Sequence, residues 1–141
     1  MKKTDELRTR PVAPLITPAA LNQQFPVSPA IADNILATRQ RISRILRGTD
    51  KRLLVIIGPC SLHHPAAALE YAQRLNRPRA RYHHKLEIVM RTYLEKPRTV
   101  TGWKGLINVP GLDGRSNSNH RPAISRKLLL DTNTHGLPPA T

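Results

Sequence analysis

Lys51 to Cys60 read KRLLVIIGPC, an unbroken run of large apolar residues from Leu53 to Ile57 set between charge and a Gly58-Pro59 stop. A run of this kind, without polar alternation, suits a strand buried on both faces, as in a parallel sheet covered by helices. Gly58-Pro59 ends it and leaves Cys60 and Ser61 just past its C-terminal end, where open α/β sheets and (β/α) barrels keep their chemistry. A second apolar run, Leu86 to Met90, follows and is capped by Arg91-Thr92-Tyr93-Leu94-Glu95-Lys96-Pro97-Arg98-Thr99. These two strand ends are the expected seat of function.

Helical spacing surrounds the two runs. Ser28-Pro29 has the form of an N-cap followed by proline in the first turn, and Ile31, Ile35, Thr38, Ile42 and Ile45/Leu46 then recur on one face until Gly48. Arg39, Arg41, Arg44 and Arg47 crowd the second half of that helix and are expected on its solvated face, where they complement the helix dipole. Pro65 opens another helix with Ala68, Leu69, Ala72 and Leu75 inward and a Glu70–Arg74 pair outward; Pro78 is expected to interrupt it. Gly102 to Gly114 is glycine-rich and reads as a loop. His120 to His135 reads as a third helix ended by Gly136. The prolines at 138 and 139 argue against a strand after it. Residues 1–27 mix charge with Pro11, Pro14, Pro18 and Pro26 and read as an arm without a core element, its apolar residues available to dock on another subunit.

Composition bounds the function. The 141 residues suffice for one core but fall well short of the roughly 250 an eight-unit barrel needs. Lys plus Arg number 23 against 9 Asp plus Glu, a net charge of +14. Such an excess suits phosphorylated substrates as well as nucleic acid. With aromatics at 4% and arginines scattered rather than blocked, no nucleic-acid partner is expected. A single cysteine excludes an internal disulfide and fits a reducing compartment. The N-terminal MKKTDELRTR has no apolar segment, so no membrane association is expected and the cytoplasm is the default.

Arg91, Lys96, Arg98 and Lys104 fall within one short stretch after the second run, an arrangement suited to phosphate or carboxylate groups: arginine offers a planar fork, lysine a compact charge. The bland alternative is a solvated basic loop. Cys60 is either a small buried hydrophobe or, beside Gly-Pro at a strand end, a metal ligand or reactive thiol. His63, His64, His83 and His84 form adjacent pairs that rarely converge on one metal and are expected at the surface.

KRLLVIIGPCSLH, IVMRTYLEKPRTVTGWKGLINVPGLDG and the N-terminal TDELRTR, TPAAL and FPV together resemble the 3-deoxy-D-arabino-heptulosonate 7-phosphate (DAHP) synthases of the bacterial aromatic pathway, of the class I, amino-acid-regulated type. The resemblance implies an α/β fold: an N-terminal arm (1–27) and a truncated (β/α)8 TIM barrel (28–141) holding its first two βα units. It implies an aldol-type transferase that joins phosphoenolpyruvate to erythrose 4-phosphate in the first step of the shikimate pathway, with a divalent metal (Mn, Fe, Zn or Co) and a homo-oligomeric assembly. By motif, Cys60 resembles the metal-ligand cysteine, Arg91 and Lys96 the phosphoenolpyruvate contacts and catalytic cations, and Arg98 and Thr99 the erythrose 4-phosphate contacts. The family's other metal ligands come from later strands that this chain lacks. The wording also departs from the family at Pro78, at Pro139 and in SNSNHRPAISRK. A chain of this extent is expected to be inactive alone; the other reading is a non-catalytic module that associates with intact synthase subunits.

Overall fold

The structure is a computed structural model that describes residues 14–95, 105–107 and 120–141. Its elements alternate as expected of a parallel α/β chain: α1 (Pro18–Gln24), α2 (Pro29–Leu46), β1 (Leu53–Ile57), α3 (Pro65–Tyr82), β2 (Leu86–Arg91), α4 (His120–Thr134) and β3 (Pro139–Ala140). The sheet order is β1-β2-β3 and both pairings are parallel, with Leu53 opposite Leu86, Ile57 opposite Met90, and Met90 opposite Pro139.

Local chemistry sets the helix ends. The Ser28 hydroxyl accepts from the Ile31 amide at 3.3 Å, with Pro29 in the first turn of α2. At the other end Gly48 takes φ 73°, and its amide and that of Thr49 close onto the carbonyls of Ile45 and Arg44. The same double closure ends α4. Gly136 at φ 78° donates to Asn133, and Leu137 donates to Thr132 while its own side chain is fully buried. His64 caps α3, its Nδ1 accepting from the Ala67 amide. His63, His64, His83 and His84 are all exposed, as read.

The core joins α3, α4 and one side of β2: Ala68, Ala72, Met90, Leu94, Leu128 and Leu137, with Leu69 and Leu75 packed against it. Glu87 and Val89, on the opposite side of the same strand by its period of two, are buried as well. Among the described residues, the central strand is therefore the one buried on both faces. β1 is not, contrary to expectation: it is an edge strand, with Leu53 65% and Ile56 59% exposed. Its apolar run has the composition of a covered strand, but among the described residues only β2 pairs with it.

Three further expectations are corrected. α3 runs through Pro78 to Tyr82. Proline withholds one helical hydrogen bond, but the next turn is held from outside the helix, because Arg79 Nε donates to the Ile88 carbonyl at 3.2 Å. A third strand does form at Pro139–Ala140. The Met90 and Thr92 amides donate to the carbonyls of Pro138 and Ala140 at 2.9 and 2.8 Å, a direction of bonding in which proline is a competent acceptor. Continued one step back, this ladder would have residue 138 donate to the Ile88 carbonyl. Pro138 has no N–H, and the Arg79 guanidinium fills that place. Finally, the arm contains the short helix α1, capped by Thr17, and its apolar residues meet this same chain: Leu21 and Val27 line a cavity of about 490 Å³ with Ile35 of α2 and Leu129 of α4. Arg126 Nε donates to the Phe25 carbonyl at 2.9 Å and fixes the arm to α4.

Candidate functional site

Parallel pairing brings the two strand ends to one edge of the sheet, since Ile57 lies opposite Met90 and the next step sets Gly58 beside Arg91. The approach is close. A Cβ on Gly58 would lie 2.5 Å from the Arg91 carbonyl oxygen and 3.1 Å from its Cβ, so the absence of a side chain at 58 is what lets the backbones meet. From there the chain passes Pro59 and the exposed Cys60, and the Leu62 amide donates to the Tyr93 carbonyl at 2.8 Å. The segment carrying Cys60 is thus pinned at both ends to the segment carrying Arg91. Exposure of Cys60 removes the reading of it as a small core hydrophobe.

Arg91 is half-buried. Its Nε is buried and has no hydrogen-bond partner among the described residues, while the guanidinium carbon lies 4.1 Å from the centroid of the Tyr93 ring. Thr92, between them, points the other way and is fully buried; its amide and its hydroxyl both donate to the Ala140 carbonyl, at 2.8 and 3.0 Å. Alternation along an extended segment therefore puts Arg91 and Tyr93 on one side and locks the residue between them. Beyond Tyr93, Leu94 is buried and its carbonyl accepts from the Ile107 amide at 3.1 Å. Gly105, at φ 111°, allows this approach, since a Cβ there would lie 2.5 Å from the Leu94 carbonyl oxygen. Lys96, Arg98, Thr99 and Lys104 lie outside the described residues, as does most of the loop read between Gly102 and Gly114.

Among the described residues no three His, Cys, Asp or Glu side chains group to hold a metal ion. Cys60 alone does not make a metal site. The described edge also offers a cation with an unpaired buried donor, a fit for an anion.

The opposite end of the sheet holds a charge cluster that the sequence reading missed. Glu87, 3% exposed, accepts from Arg41 Nε of α2 at 2.8 Å and from Arg52 Nη1 at 3.0 Å, and Arg79 Nη2 of α3 lies 3.7 Å away. Arg41 therefore leaves the solvated face to which it had been assigned. Arg52 also forks onto Asp50, whose carboxyl is lowered to about 2, first by that side-chain hydrogen bond. Burial lowers the Arg79 pKa, with Glu87 opposing the shift. The readable signal was a lone glutamate inside the apolar run LEIVM, a position that is buried and so demands a cation.

Comparison with known proteins fits this arrangement. Residues 23–138 match the family model described as the DAHP synthetase I family. The chain belongs to the DAHP synthetase I family. Along all 141 residues it is 63% identical to a Trp-sensitive phospho-2-dehydro-3-deoxyheptonate aldolase of Enterobacter agglomerans and 56% identical to that of Escherichia coli K12. It spans 40% of the length of each. A solved phospho-2-dehydro-3-deoxyheptonate aldolase from Francisella tularensis superposes with a TM-score of 0.88 at 41% identity, covering 96% of this chain and 39% of that one. The small parallel sheet thus has its counterpart in a synthase of the same family. No described helix is long and apolar enough to cross a membrane.

Proposed function

We propose that these 141 residues supply the first two βα units, and the start of a third strand, of a (β/α)8 barrel that makes DAHP. In this reaction phosphoenolpyruvate and erythrose 4-phosphate are joined through a new C–C bond, water is consumed and inorganic phosphate is released. Arg91 with Lys96 takes phosphoenolpyruvate, and Arg98 with Thr99 takes erythrose 4-phosphate. The single observation that carries this reading is the open buried Nε of Arg91 at the C-terminal end of β2, within the segment matched to the family. The N-terminal arm (1–27) and the partial barrel (28–141) work as one unit in a cytoplasmic homo-oligomer. Likeness to enzymes along the whole chain supports this reading over a free-standing interaction module.

Each side chain has a task that follows from its chemistry. Arginine meets a phosphate or carboxylate through parallel N–H donors in one plane and so fixes orientation as well as position. Holding two anionic substrates side by side in reacting geometry demands several fixed cations, because their phosphates repel one another. Cys60, exposed at the end of the first strand, would hold a divalent metal together with ligands beyond the described residues, and the bound metal would polarise the aldehyde oxygen as a Lewis acid.

The test is a chimera in which these residues replace the matched portion of the Escherichia coli relative. DAHP formation from both substrates with manganese, lost on Arg91→Ala and on Lys96→Ala, is the expected result. A folded chimera without turnover, or full turnover in both variants, contradicts the reading.

A further inference from the structure

We infer that Tyr93 is a positioning residue for the Arg91 guanidinium, holding its plane by face stacking so that the edge of the fork is presented to a substrate anion; this rests on the assignment of Arg91 to phosphoenolpyruvate. The contact is specific: the guanidinium carbon stands 4.1 Å from the ring centroid, well inside the range in which a cation is attracted to the face of an aromatic ring. A cation held over a ring face is attracted to it without giving up a hydrogen-bond donor to an acceptor oxygen, so the guanidinium N–H groups remain for a carboxylate or phosphate.

Burial argues that the ring is placed for the cation and not for the core. Tyr93 is 44% exposed, whereas its neighbours Thr92 and Leu94 are buried, and it is absent from the apolar cluster. Its backbone is nonetheless fixed, because the Tyr93 carbonyl accepts from Leu62 and the Thr92 amide donates to Ala140. A rigid backbone carrying a solvent-facing ring over a half-buried arginine spends ring hydration without gaining core packing. Arg91 needs such a support, since its Nε has no hydrogen-bond partner among the described residues to set the orientation of the fork.

The ring, and not the phenol hydroxyl, is what the stack uses. In the Escherichia coli chimera, Tyr93→Leu is expected to weaken phosphoenolpyruvate binding about tenfold, leaving the KM for erythrose 4-phosphate within twofold and the thermal midpoint within a few degrees. Tyr93→Gln should do the same and serves if the leucine variant folds poorly. The conservative Tyr93→Phe recovers the affinity, and in an Arg91→Ala background Tyr93→Leu has no further effect on it. Tyr93→Leu and Tyr93→Gln that bind phosphoenolpyruvate like the parent, while Arg91→Ala does not, overturn the inference and leave the assignment of Arg91 standing. Equal losses in Tyr93→Phe and Tyr93→Leu overturn it too, because the hydroxyl would then be the active group. If Arg91→Ala itself leaves affinity unchanged, both fail.

Discussion

Glu87→Gln tests whether the end of the sheet opposite the site is what holds these elements together. Among the described residues Glu87 is the one acidic side chain shared by α2, α3 and the residue that leads into β1, through Arg41, Arg79 and Arg52. The substitution keeps shape and volume but removes the charge, leaving Arg41 and Arg79 without a carboxylate while Arg52 retains Asp50. Breaking a buried ion pair by removing one partner costs roughly 3–5 kcal/mol. The arginines here are each about a fifth exposed and recover some hydration, which places the expected loss near the lower end, at about 3 kcal/mol. For a chain of this length that corresponds to a fall in thermal midpoint of roughly 10 °C. Differential scanning calorimetry or thermal circular dichroism of the 141-residue polypeptide measures it. The double variant Glu87→Gln/Arg41→Gln should lose less than the sum of the two single ones, since each already removes the same pair. A midpoint within 2 °C of the parent, or full additivity, would refute the reasoning by showing that the cluster is bystander charge.

Gly58→Ala puts a methyl group 2.5 Å from the Arg91 carbonyl oxygen, which cannot move without parting the two strands, and is expected to cost about 1–3 kcal/mol by urea unfolding and to weaken phosphoenolpyruvate binding by the chimera. Asp50 has a folded pKa near 2 against an ordinary 3.8, so its contribution to stability is complete above pH of about 4 and is lost as the pH falls through 2. Thermal scans should therefore show the midpoint of the parent falling between pH 4 and 2 more steeply than that of Asp50→Asn; parallel curves would contradict this.

Much of the fold was legible because its local signals are physical requirements. Ser28-Pro29, Gly48 and Gly136 mark helix ends through a hydroxyl acceptor and two left-handed residues, and no tertiary contact was needed to read them. The Pro65 helix and its inward alanines follow from spacing alone. What failed depends on distant residues. Pro78 did not end α3 because Arg79 is held by Ile88, and Pro138 and Pro139 did not forbid β3 because β2 calls on carbonyls there. The apolar run of β1 predicted two covered faces, whereas among the described residues β1 is an edge strand with Leu53 and Ile56 exposed. For the site, strand-end logic alone selected Arg91 and Cys60, and the parallel register brings their segments together. Tyr93 over Arg91 and the Glu87 cluster escaped, since a stacked ring and a buried counter-ion are properties of pairs that no single stretch displays.

The most direct measurement is a calorimetric titration of phosphoenolpyruvate into the Escherichia coli chimera and into its Arg91→Ala variant. With the Nε of Arg91 as an anion donor, the variant should bind at least thirtyfold more weakly, the loss of roughly 2 kcal/mol or more expected when one member of a charged, hydrogen-bonded pair is removed, while its thermal midpoint stays close to the parent's. Equal affinity in the two proteins would contradict the assignment and make the end of β2 a structural edge without a substrate.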